Sequence, residues 1–220
     1  MTDFFEELDA KMADFKDVGR EKLQDDQREW HRKRLGKISA SMMGKLMTNG
    51  RGKDAGMGQT AIAEAMRLAM ERQLTPDGQE LYIDELMTRD FKQTRWGKEW
   101  EPVAIERAGM GIVKAGARES CGVWATPDGI TPDGMVVEVK CPFTMGNHFH
   151  PNYIFEYIDQ VQTQMYVFDA PCAYFIKFDP RVSAPYDLVI QRVERNFEHI
   201  ERIIARVAEV ELLITKILQV

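Results

Sequence analysis

The stretch from Trp124 to Pro142 constrains this chain more than any other. Met135 to Lys140 is a short β-branched run, the composition of a strand. Side chains alternate along a strand, so Glu138 and Lys140 share one face and Val137 and Val139 take the other. A carboxylate and an ammonium backed by valines make a polar site on a rigid element.

Two Pro-Asp-Gly triplets precede the strand, and they serve different purposes. Asp133-Gly134 follows Pro132 and directly abuts the strand, which is turn chemistry. If the chain doubles back there, antiparallel pairing sets Asp128 opposite or diagonal to Glu138. Cross-strand neighbours lie about 4.5–8 Å apart, so two carboxylates and a lysine converge. Close carboxylates repel unless one is protonated or a cation lies between them. A hard divalent ion such as Mg²⁺ suits that site, with Asp128 on the metal and Lys140 steering the attacking water. The plain alternative is a surface hairpin whose Glu138 and Lys140 form an exposed ion pair worth under about 1 kcal/mol.

A chain of 220 residues, 44% hydrophobic, can bury one substantial core, and a single domain over 1–220 is expected. No apolar run approaches the roughly 20 residues that cross a bilayer, so no membrane partner is expected. Residues 2–24 read as an acidic amphipathic helix or helix pair, not a signal peptide. Cys121, Cys141 and Cys172 give neither a disulfide framework nor a zinc pattern, which fits a reducing cytoplasm. Cys141 reads as a buried small hydrophobe. The net charge of −6 does not exclude nucleic acid, because the location of the basic residues matters more than their sum.

The densest basic cluster is Arg28, Arg32, Lys33, Arg34 and Lys37, beside Trp30 and His31. Ser39 or Ser41 can cap a helix through Met42 to Met47, and a capped N-terminus near arginines is an anion site. Arg32 and Lys37 are therefore candidates for DNA contact. Helices are expected over Thr60–Gln73 and Thr88–Ala108, with Glu101 one turn before the core-facing Ile105 and able to face the site. Thr75-Pro76-Asp77-Gly78 reads as a turn. Gly111–Ala115, Cys121–Thr126, Met135–Lys140 and Cys172–Phe178 predict a mixed central sheet, with Leu188–Arg192 as the last strand. His148 and His150 fall in an irregular segment and read as loop residues near DNA. Tyr157–Phe168 reads as a helix with Gln160 and Gln164 on one face, able to bind a phosphate or water or to serve as core amides. The C-terminus, 194–220, reads as a long amphipathic helix presenting Phe197, Ile200, Ile204, Val207, Ile214 and Ile217.

Several motifs follow one another along the chain: Trp30-His31, Arg34-Leu35-Gly36, Ile38-Ser39-Ala40-Ser41, Trp96-Gly97-Lys98 with Glu101, Pro127-Asp128-Gly129, Glu138-Val139-Lys140-Cys141-Pro142-Phe143-Thr144, Gln160-Val161-Gln162, and Phe178-Asp179-Pro180-Arg181. In this order the chain resembles the phage lambda-type exonucleases, the YqaJ-like viral recombinases and alkaline exonucleases of the Pro-Asp…Glu-x-Lys nuclease superfamily. The resemblance covers about residues 25–195.

It implies an α/β, restriction-endonuclease-like core with a mixed central sheet flanked by helices. It implies two Mg²⁺ ions, replaceable by Mn²⁺, and processive 5′→3′ digestion of one strand of duplex DNA from an end, leaving 3′ single-stranded tails. The implied assembly is a ring-shaped homotrimer working with a single-strand annealing protein, encoded by a phage or prophage and acting in the bacterial cytoplasm. By the same resemblance Asp128, Glu138 and the carbonyl of Val139 ligate metal, Glu101 holds the second ion or its waters, and Lys140 positions the nucleophilic water. Arg34, Ser41, Thr126 and Gln160 match positions that grip a terminal 5′-phosphate. Two positions depart from the pattern: Arg118-Glu119 stands where the family carries a further acid, and polar Thr94 stands near its apolar strand-separating wedge.

Overall fold

The computed structural model describes residues 25–52, 56–89 and 91–219, and these fall into two compact units. The expected helical segment over 2–24 lies outside the described residues.

Within the described residues, the smaller unit holds helix α1 (25–34) and helix α4 (Pro76–Thr88). The tetrapeptide 75–78, expected as a turn, instead starts α4. Thr75 accepts the Gly78 N–H at 3.1 Å, and Pro76 occupies the first helical position, where its missing N–H costs nothing. Proline at the first helical position and proline in a turn share one φ, so the local sequence suits both.

In the larger unit the order is β1 (Ile38–Ser39), a 3₁₀ turn (Ala40–Met42), α2 (Met43–Leu46), α3 (Gln59–Arg72), α5 (Lys92–Ala108), β2 (Arg118–Ser120), β3 (Val123–Ala125), β4 (Gly129–Ile130) and β5 (Val136–Lys140). There follow α6 (Met145–Phe149), a 3₁₀ turn (Tyr153–Glu156), α7 (Ile158–Phe168), β6 (Cys172–Phe178), β7 (Leu188–Glu194) and α8 (Phe197–Leu218). The central sheet is mixed, in the order β4-β5-β6-β7, with β5 and β6 parallel.

Three expectations about the strands need correction. Val123–Ala125 belongs to a separate three-stranded sheet, β1-β3-β2, and Gly111–Ala115 forms no strand beyond the bridge Val113–Ile130. Ile38–Ser39 was expected to precede a capped helix; it forms a strand parallel to β3. The helix expected over 42–47 is broken into a 3₁₀ turn and one α turn; Ser39 stands at the cap of the 3₁₀ turn without a side-chain cap bond, and Ser41 lies inside that turn.

Strand β5 is covered on both faces, which is why it reads as a near-continuous apolar run. Val137 and Val139 pack with Ala104 of α5, Ile176 and Phe178. Val136, on the other face, joins the main core with α7 and α8 residues such as Val161, Met165, Ile203 and Val210. Helix α8 buries Ile200, Ile203, Val207, Val210 and Ile214, a stripe of three- and four-residue steps. Each such side chain contributes roughly 1.5–3 kcal/mol. Phe197 and Ile204, expected on that stripe, are exposed instead. Asn196 caps α8 through the His199 N–H at 2.9 Å.

Candidate active site

The expected hairpin is present. Gly134 takes φ of +86° in the turn, and its N–H bonds the Thr131 carbonyl at 2.9 Å. Gly129 pairs with Val137, so the antiparallel register carries Asp128 to the position facing Glu138. Position 129 needs glycine because a Cβ there would come within 2.2 Å of Ile112. The Val139 N–H donates to Asp128 Oδ2 at 2.7 Å, tying the acid to β5.

Glu138 is almost fully buried, on the α7 face of the sheet. Its Oε1 accepts from Gln160 Nε2 at 2.6 Å and from Lys140 Nζ, and its Oε2 accepts from Gln164 Nε2 at 2.6 Å. Four residues separate the two glutamines on α7, so one helix face presents both amides to one carboxylate. Lys140 Nζ also lies 4.8 Å from the centre of the Tyr157 ring. From the opposite side of the sheet, α5 brings Glu101. A cleft of about 510 Å³ is lined by Glu101, Asp128, Val139 and Lys140, with Lys98 and Phe143 at its walls.

The charges in this cluster oppose one another. Burial, then the Glu138 charge, pushes the Asp128 carboxyl well above its ordinary range. The same two causes in the same order raise Glu101. Burial alone would lower the Lys140 ammonium, but the Glu138 and Asp128 charges outweigh it and hold the proton more firmly. Burial beside Glu101 and Asp128 pushes the Cys141 thiol up to about 12, so Cys141 is a neutral, half-buried neighbour. The three carboxyls share one ammonium, Lys140, while Lys114 and Lys98 act more weakly on Glu101, and a divalent cation is a complement such a donor set accepts. Among the described residues no three His, Cys, Asp or Glu side chains are arranged to hold an ion unaided.

The remaining expected site residues are placed as follows. Ser41 and Thr126 stand just past the C-terminal ends of the parallel strands β1 and β3, so the chain leaves both from one sheet edge. Ser41 is exposed with its Oγ 3.2 Å from Ser39 Oγ, whereas Thr126 Oγ1 is buried without a hydrogen-bond partner among the described residues. Neither lines the cleft. Gln160 bonds Glu138 as described. Lys37 Nζ pairs with Glu119 at 2.7 Å. In the smaller unit Arg34 stacks on Trp30 at 4.9 Å, and Arg32 makes a two-pronged pair with Glu80 at 2.7 and 2.9 Å.

His148, expected in a DNA-facing loop, is buried in α6 with Nε2 2.7 Å from the Tyr186 carbonyl. Its ring fills a core position, so the expectation is corrected. Three further side chains contribute in ways that the local pattern does not fix. Gln164 was legible only as one of two same-face amides. Tyr157 reads as core from its spacing. Arg181, bonded to buried Asp179, anchors the carbonyls that follow Lys140, and nothing local in the sequence signals that reach.

The model of the YqaJ-like viral recombinase domain matches residues 29–171, well over half of the chain. The chain belongs to that family. The matched span includes Arg34, Glu101, Asp128, Glu138, Lys140 and Gln160, while β6, β7 and α8 lie beyond it. Structural similarity extends further than the YqaJ-like match. An alkaline exonuclease from Laribacter hongkongensis, LHK-Exo, superposes with a TM-score of 0.65 at 26% identity, over 86% of this chain and 95% of that one. Its complex with dAMP gives 0.64 at 26% identity, over 86% and 95%. A phage-related exonuclease from Haemophilus somnus 129PT gives 0.64 at 19% identity, over 83% and 95%, a likeness of fold. No curated protein matches in sequence. The mixed sheet between α5 and α7, closed by the long α8, is thus the restriction-endonuclease-like α/β fold of this family.

Proposed function

We propose that the chain is a Mg²⁺-dependent 5′→3′ exonuclease that processively degrades one strand of linear duplex DNA and leaves 3′ single-stranded tails for annealing-type recombination. The coarse class, a nuclease acting on DNA, is supported by family membership and by likeness to exonucleases. The observation that carries the finer reading is that Glu101, Asp128 and Lys140 line one cleft, with buried Glu138 bonded to Lys140 directly behind it.

Asp128, Glu138 and the carbonyl of Val139 would hold one ion, with Glu101 taking the waters of a second; Mn²⁺ would be accepted in place of Mg²⁺. Bound there, such ions make water more acidic and stabilise negative charge on a leaving oxygen. Lys140, kept protonated by Glu138 and Asp128, orients the attacking water and offsets charge gathering at the scissile phosphate. Gln160 and Gln164 fix the Glu138 carboxylate in orientation. Arg34, Ser41, Thr126 and Gln160 take the terminal 5′-phosphate, which sets the bond that is cut. Arg32 and Lys37 exchange exposed ion pairs for backbone phosphates, contacts without sequence reading.

The whole chain acts as one nuclease domain, assembled as a homotrimer around the DNA. It is partnered by a single-strand annealing protein in the cytoplasm of a phage-bearing bacterium. Among the described residues no helix is long and apolar enough to cross a membrane. The reading is tested by digestion in Mg²⁺ of 5′-phosphorylated, 5′-hydroxyl and covalently closed circular duplexes, with Asp128→Ala alongside. Mononucleotides from ends only, fastest with 5′-phosphate and absent in the variant, are expected. Cutting of circles would move the chain to an endonuclease.

A further inference from the structure

Phe143 follows β5 by three residues and stands at the border of two spaces. It lines the catalytic cleft on one side and a hollow of about 250 Å³ on the other. The residue is 41% exposed. An exposed phenylalanine just past a strand is ordinarily held by little; here the backbone beneath it is clamped. Arg181 donates from Nη1 to the Phe143 carbonyl at 3.0 Å and from Nη2 to the Pro142 carbonyl at 3.1 Å. The same guanidinium is fixed by fully buried Asp179, at 2.8 and 2.7 Å, and lies 4.9 Å above the Trp96 ring. Trp96 in turn meets the Phe143 ring edge-to-face at 6.0 Å and Trp100 at 5.7 Å.

A buried acid, a guanidinium and two indoles thus hold one phenyl ring toward solvent. Core packing does not account for a ring so exposed. The hollow beside it is also lined by Lys92, Arg95 and Glu99, two cations against one acid, and the cleft by Lys98. Aromatic faces interleaved with cations are the surface on which unpaired bases stack while their phosphates are neutralised. The other aromatic residues of the cleft are already engaged: the hydroxyls of Tyr153 and Tyr157 are 2.9 Å apart, and Tyr157 lies under Lys140.

We propose that Phe143, on its Trp96–Arg181 support, is the stacking platform for the unpaired base of the 5′-terminal nucleotide, whose 3′ linkage is cut in the cleft. The proposal rests on the nuclease reading above. Stacking on Phe143 compensates for the pairing and stacking that this base loses on leaving the duplex. Phe143 then does the work of an apolar wedge, at a different position from exposed, polar Thr94.

The test is a chemical double-mutant cycle. Wild type, Phe143→Ala, Phe143→Leu and Phe143→Trp are compared in Mg²⁺ on duplex ends whose 5′-terminal nucleotide carries adenine or no base. The alanine and leucine variants are expected to digest normal ends about tenfold more slowly, and the tryptophan variant to stay within about twofold of wild type. Removing the base should slow wild type by the same factor and leave the alanine variant no slower than before. Additive losses, or full activity with leucine, would overturn the platform. A second arm needs no hydrolysis: in EDTA, a single strand with 5′-terminal 2-aminopurine should be quenched by wild type and Phe143→Trp but not by Phe143→Ala. Equal quenching by Phe143→Ala would also overturn the platform. If wild type cuts no DNA, the nuclease reading fails and the quenching arm alone decides whether Phe143 stacks a base.

Discussion

Two charged regions of this molecule contrast sharply in physical setting. The acids and lysine around β5 are held in or against the core, with Glu138 2% exposed and every oxygen of its carboxylate bonded. The basic run over Arg28–Lys37 sits at the surface, its members satisfied by exposed partners such as Glu80, Asp84 and Glu119. Charges in the first region repel and attract through low dielectric, so their proton affinities shift and their positions are fixed. Charges in the second are screened, and each exposed pair is worth under about 1 kcal/mol. The same residue types are thus perturbed and fixed in one place and screened in the other.

The largest expected effect lies in the buried region. Lys140→Ala should lower cleavage by about 10²–10⁴-fold while DNA binding stays near wild type, measured by nucleotide release and by anisotropy. A variant that binds weakly but cuts at the normal rate per bound end would erase the contrast between the regions.

Next comes the Arg181 clamp. Burial alone would raise the Asp179 carboxyl, but the Arg181 guanidinium and its hydrogen bonds outweigh that and hold it below its ordinary value. A depressed folded pKa contributes stability that is present above the unfolded pKa of about 3.8 and lost as pH falls through the folded one. Arg181→Leu should therefore destabilise by about 2 kcal/mol at pH 7, less than a fully buried pair because Arg181 is partly exposed. The penalty should shrink toward pH 3, as read by thermal melting at both values.

Gln164→Leu leaves one Glu138 oxygen buried without its donor, a loss of about 1–3 kcal/mol. Its chemical denaturation midpoint should fall, and cleavage with it. Unchanged stability would mean that the amide orients nothing.

The surface region predicts the smallest effects. Arg34→Ala should mainly remove the preference for 5′-phosphorylated ends, measured as the rate ratio between phosphorylated and hydroxyl ends. Lys37→Ala, which breaks an exposed pair worth under about 1 kcal/mol, should leave the melting temperature nearly unchanged. It should reduce the salt slope of DNA binding by about one.

The same contrast explains what the sequence made legible. Strand β5 announces itself because alternation puts Glu138 and Lys140 on one face, and the Asp133-Gly134 turn fixes the register that sets Asp128 opposite Glu138. Gln160 and Gln164 are visible as a helical pair, but their shared target is a long-range contact across 22 and 26 residues of chain. The two-residue strand Ile38–Ser39 has no periodicity to read. Helix α4 is hidden behind a Thr-Pro-Asp-Gly tetrapeptide that suits a turn equally well. His148 looks like a surface histidine until the fold buries it, and Arg181 gains its role only when β6 lies beside β5. Local patterns report local geometry; the meeting of α5, β5 and α7 at one cluster of acids needs the fold.

The most direct measurement is release of acid-soluble nucleotide from linear duplex DNA in Mg²⁺ by wild type and Glu138→Gln, with both shown to be folded by circular dichroism. Steady release from ends by wild type, and release lowered at least about a hundredfold in the variant, is the predicted result. Equal release by both proteins, or none by folded wild type, would contradict the assignment of the β5 cluster as the hydrolytic centre.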